Sequence, residues 1–133
     1  MRASAPLVLV MILIACASDT PVAPGGPVNA RVVLAPGETA DIRGAGIRMR
    51  FVGVIADSRC PADAICIQLG EAIVRIDVLP AAGEWATYDL HSGNMQPVRH
   101  GDLTIALIEI APYPYSNRPI GPGDYRATLG ISR

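Results

Sequence analysis

A period of two in the apolar residues is what most constrains the fold of this chain. Ile47, Met49 and Phe51 alternate with Arg48 and Arg50. Ala72, Val74, Ile76 and Val78 alternate with Ile73, Arg75, Asp77 and Leu79. Leu103, Ile105, Leu107 and Glu109 alternate with Thr104, Ala106, Ile108 and Ile110. Tyr125, Ala127, Leu129 and Ile131 oppose Arg126, Thr128, Gly130 and Ser132. Successive strand residues point to opposite faces, so each run has one apolar face to bury. Shorter runs at Arg31 to Leu34, Glu38 to Ile42 and Glu84 to Leu90 bring the total to about seven strands, separated by Pro/Gly turns. Gly53 marks a candidate bulge. No segment combines helix caps with a 3.6-residue period. The expectation is an all-β antiparallel sandwich, with a small closed β-barrel as the alternative. An immunoglobulin-type bridge between sheets is excluded, because Cys60 and Cys66 are too close in sequence.

The N-terminus reads as an export signal. Arg2 precedes a charge-free run from Leu7 to Ala15. As a helix this run reaches ~14 Å, short of the roughly 30 Å of a hydrocarbon core. It has the order and length of a signal h-region. Leu13-Ile14-Ala15-Cys16 resembles the lipobox of bacterial lipoproteins. The resemblance implies cleavage after Ala15 and a diacylglyceryl thioether on Cys16. Two or three acyl chains anchor a protein stably where one does not. Ala17 stands where an inner-membrane retention signal usually has Asp, which implies the outer membrane, facing the periplasm. Expected boundaries are a signal peptide at 1–15, a lipidated Cys and Pro/Gly-rich tether at 16–29, and one β domain at 30–133.

Composition narrows the function classes. The chain has 133 residues, 50% hydrophobic and 17% charged, too apolar for a disordered tail. A formal charge of −1 argues against a general electrostatic grip on nucleic acid. Every basic residue is Arg, which excludes lysine Schiff-base chemistry.

Three cysteines become two once Cys16 carries lipid. In an oxidising compartment Cys60 and Cys66 are expected to form a disulfide around Pro61, Ala62, Asp63, Ala64 and Ile65. A redox role is less well supported, because the spacing is not C-x-x-C. A zinc site lacks a second paired cluster.

Asp57-Ser58-Arg59-Cys60-Pro61, then Cys66 and Gly70-Glu71-Ala72, is the most distinctive stretch. It resembles a group of small bacterial envelope lipoproteins with a DSRCP…C…GEA pattern between two strands. Pro112-Tyr113-Pro114, the turn from Pro119 to Pro122 and Asp124-Tyr125 extend the resemblance. The group implies a fold unit and a location but no reaction. Gln68 departs from it, because members often place Trp there.

Candidate sites follow from residue chemistry. Arg59 beside Asp57 and Glu71 suits either a salt-bridged hairpin base or an anion site. His91 and His100, with Asp89 and Asp102, suit metal ligation only if a hairpin brings them together, and solvation is the commoner fate. No metal site or cofactor is therefore expected. Ser58 and Ser92 lack a nucleophile elbow, and no catalytic motif is present. The connection from Ala111 to Gly123 offers Tyr113 and Tyr115 as interface anchors. These features lead to a lipid-anchored, non-enzymatic interaction or structural module of the cell envelope, with a protein partner. The alternative is a small-ligand or metal-binding periplasmic lipoprotein.

Overall fold

In the computed structural model, residues 26–133 are described. The signal segment, the lipobox and Cys16 lie outside them. Among the described residues no helix occurs, and the strands form two antiparallel sheets of four. They are β1 (Asn29–Leu34), β2 (Thr39–Ile42), β3 (Ile47–Asp57), β4 (Ala72–Pro80), β5 (Ala86–His91), β6 (Val98–His100), β7 (Leu103–Ala111) and β8 (Arg126–Ser132). One sheet runs β1-β8-β7-β6 and the other β2-β3-β4-β5. The sheets do not close on each other, so the architecture is a sandwich and not a barrel.

The alternating residues make the core. Met49, Phe51, Val74, Ile76, Val78 and Leu90 face inward from one sheet, fully buried. Ile105, Ala127, Leu129 and Ile131 answer from the other. Each large side chain so buried contributes about 1.5–3 kcal/mol. The other face of β3, β4 and β5 is a polar ladder. Arg50 opposes Asp77, and Asp77 opposes Thr87. Asp77 accepts hydrogen bonds from both side chains, which satisfies a carboxylate otherwise shielded by its neighbours. Arg50 also stacks over Trp85, 5.0 Å from the ring centre.

The structure departs from sequence expectation in three places. An eighth strand, β6, lies within the segment read as turn. Three residues after Pro97 are too few to display alternation. Val28 is buried and Asn29 opens β1, so the domain starts slightly ahead of Ala30. A bulge between Leu107 and Glu109 reverses the phase of β7. Ile110, expected outward, is therefore buried, and Glu109, expected inward, is exposed. Gly53, the bulge candidate, does mark an irregularity: β3 shifts register between Phe51 and Gly53, where φ is 154°, and again between Val54 and Ala56.

The topology sorts the connections. β3, β5 and β7 all finish at one end of the sandwich, and β4, β6 and β8 start there. Loops 58–71, 92–97 and 112–125 therefore cluster at that end. The β2–β3, β4–β5 and β6–β7 turns lie at the opposite end. Gly26 lies there too, its carbonyl accepting from Arg133, whose guanidinium also meets Asp102.

Candidate loop-end interaction site

Ser58, Arg59 and Gly70 build the neck of the β3–β4 loop. The Ser58 N–H donates to the Glu71 carbonyl at 2.8 Å, and the Glu71 N–H donates to Ser58 Oγ at 3.1 Å. This closes the neck so tightly that a Cβ on Gly70 would stand 1.6 Å from the Ser58 carbonyl oxygen. Only glycine fits there.

Arg59 clasps the neck to the opposite sheet. Its Nε and one Nη hold both Asp57 oxygens, at 2.8 and 2.6 Å. The other Nη donates to the Ile110 carbonyl at 2.8 Å, and the first donates again to the Pro112 carbonyl at 3.0 Å. Four of its five N–H groups are engaged. The Arg59 and Asp57 side chains are only 7% and 13% exposed. Tyr125 adds its hydroxyl to Asp57 at 3.0 Å. Burial pushes the Asp57 carboxyl up, but Arg59 and Tyr125 together outweigh it and hold it below the ordinary carboxylate value. Burial, and then the bond to Asp57, pushes the Tyr125 hydroxyl up, which keeps it a donor. An arginine so committed has little left for an anion.

The other sequence candidates separate. Glu71, expected with Arg59, pairs instead with His91, Oε1 to Nδ1 at 3.0 Å. The reason is register: Ile73 opposes His91, which brings the end of β5 beside the start of β4. His100 meets the Tyr88 hydroxyl at 2.9 Å. Asp89 takes both bonds from Arg75, and Asp102 pairs with Arg133. The two His and two Asp thus have four different partners. Among the described residues no group of three or more His, Cys, Asp or Glu stands together as a metal site. Ser92 Oγ accepts the Ala72 N–H at 2.8 Å.

Cys60 and Cys66 are joined in a disulfide. The stapled loop is pinned to its neighbour. Ala62 donates its N–H to the Pro114 carbonyl, and Ser116 donates its N–H and hydroxyl to Asp63. Tyr113 and Tyr115 diverge. Tyr113 lies under Arg59, 5.4 Å from ring centre to guanidinium carbon, whereas Tyr115 bridges to Arg118 in a tight turn.

On either side of Cys66 the chain carries three aliphatic side chains into solvent. Ile65 and Ile67 are 104% exposed and Leu69 is 91% exposed. Beside this arm lies a cleft of about 360 Å³, walled by Leu69, Met95, Ile108 and Tyr113, with Arg59 and Glu109 also lining it. Met95 stands at its lip with φ 53°, a region non-glycine residues seldom visit. A hollow of about 530 Å³ at the opposite end, lined by Arg43, Arg48 and Pro80 among others, has no comparable aliphatic arm. Sequence reading had placed Ile65 only inside the ring and had passed over Ile67, Leu69 and Met95. The available signal was a period of two at 65, 67 and 69 in a segment the disulfide keeps out of the sheet. Gln68 falls between these residues and is exposed.

Comparison with protein-family models, curated proteins and solved structures returned no match.

Proposed function

We propose that this chain is a non-enzymatic interaction module of the bacterial cell envelope, anchored by lipid on Cys16 and facing the periplasm from the outer membrane. The observation that carries the reading is the exposed Ile65–Ile67–Leu69 arm beside a partly apolar cleft. Contiguous exposed apolar surface is a mark of interaction sites in soluble domains. A disulfide, the Arg59 clasp and the Asp63–Ser116 bonds hold the arm's base in place, which lowers the ordering cost of docking. The arm projects from the end of the sandwich opposite Gly26. The side chains considered for ligand or metal binding have partners within the domain: Arg59 and Asp57 clasp loops, and His91 pairs with Glu71. The anchor itself rests on the sequence from Leu13 to Cys16.

Cross-linking in the native envelope tests the reading. The tagged full chain should be recovered with a stoichiometric partner, a second copy included. Ile67→Asp and Tyr113→Ala should each lose that partner while the melting temperature stays within about 2 °C, as expected for changes away from the core. Recovery of the uncross-linked chain alone, or parallel loss of partner and stability, contradicts it.

A further inference from the structure

We infer that the cleft beside the arm receives a lysine side chain of the partner, a cation on an aliphatic stem. The inference rests on the interaction reading above and names the group the partner presents. Leu69, Met95, Ile108 and Tyr113 give this cleft of about 360 Å³ its apolar walls. Ligand pockets run from about 300 to 1,000 Å³, so the space suits one long side chain rather than a folded element. The methylenes of a lysine bury against apolar walls while its ammonium stays at a polar rim.

The charges around the cleft select the sign. Arg59 lines it, but Asp57 takes that guanidinium in a two-bond fork, and the Ile110 and Pro112 carbonyls accept from it as well. Glu109 has no such match. It lines the cleft, is exposed, and makes no ion pair among the described residues. The bulge after Leu107 puts it there, turning Ile110 inward and leaving Ile108 and Glu109 exposed side by side. A second carboxylate stands at the Gly93 wall. Glu71 Oε2 lies 2.9 Å from where a Cβ on Gly93 would be, while Oε1 meets His91. With histidine counted as neutral, Arg59 is the one positive charge and Asp57, Glu71 and Glu109 are three negative ones, which leaves −2. An anion meets repulsion there, and a purely aliphatic group leaves both free carboxylate oxygens without a partner. Glu71 and Glu109 approach from different walls. Three rotatable ammonium donors suit that arrangement better than the planar arginine fork, which matches one carboxylate face-on. This chain contains no lysine, so the partner is a different protein.

Methyl NMR of the full chain tests this, with ¹³C-methyl methionine, the disulfide intact and nonionic detergent. The probe is acetyl-Gly-Lys-Gly-amide at low salt. The Met95 methyl at the cleft lip should shift and saturate with Kd on the order of 1 mM, while the methyl of fully buried Met49 stays put. The same peptide with Nε-acetyl-lysine, which keeps the stem and loses the charge, should bind at least ~5-fold more weakly, and the peptide with Glu should not bind. Glu109→Gln should raise Kd for the lysine peptide about 3-fold and leave the acetyl-lysine peptide unchanged. The side chain is exposed and Gln keeps its shape, so the variant should melt like the parent. No Met95 shift up to ~20 mM peptide overturns the inference. So do equal affinities for lysine and acetyl-lysine peptides, preference for the Glu peptide, or indifference to Glu109→Gln. If the lysine peptide fails yet the chain cross-links to a protein in the envelope, the lysine is wrong and the interaction reading stands. If it fails and nothing cross-links, both fall.

Discussion

Arg59 explains most of what is distinctive about the Asp57–Pro61 stretch. One planar guanidinium joins the end of β3 to the end of β7 and the start of the next loop. Arg59→Ala strands a shielded carboxylate and frees two carbonyls. We expect a loss of about 3 kcal/mol, read as a lower midpoint in urea at unchanged slope. Arg59→Lys should recover little of it, because an ammonium cannot reproduce the fork. The pH dependence has a definite sign. A carboxyl held below its unfolded value stabilises fully above that value, near 3.9. The contribution is lost as pH falls through the lower folded value. The domain should therefore weaken below about pH 4, and Asp57→Asn should flatten part of that fall in acid melts. Asp77 and Asp89 are also held low, Asp77 against its burial and Asp89 by Arg75, so some slope should remain. The motif was legible as a unit in the sequence. The partner of Glu71 was not, because a register brings it to His91 across twenty residues of chain.

Among the elements, the stapled β3–β4 loop is the most constrained. Gly70→Ala forces the Ser58 carbonyl away from its contact with residue 70 and opens the neck. The expected cost is about 2–4 kcal/mol, measured by thermal or denaturant melts. Removing the staple by Cys60→Ala with Cys66→Ala returns loop entropy to the unfolded chain. It should cost about 2 kcal/mol and, in addition, loosen the arm. Amide exchange over residues 60–69 should then quicken while β4 stays protected. Strands were legible wherever alternation ran over four residues or more. β6 was not, since three residues carry no period. The latter half of β7 was misjudged because a bulge adds one residue and turns Ile110 inward. That insertion leaves no mark in the pattern until its partner Thr128 is known.

For the whole molecule, the sandwich has two different ends. One end carries Gly26 and the β2–β3, β4–β5 and β6–β7 turns. The other gathers three loops, the clasp, the cleft and the arm. Alternation foretold the layers, since each strand had one face to bury. It did not foretell which loops would meet, because that depends on strand order and on which connections change sheets. The central claim is the proposal that the loop end makes contacts and the Gly26 end does not. The most direct measurement places a photo-cross-linking amino acid at position 67 or, as control, at exposed Arg43 in the β2–β3 turn. The tagged chains are then irradiated in intact envelopes. The account predicts a discrete adduct from position 67 and none from position 43. No adduct from 67, or the same adducts from both positions, would contradict it.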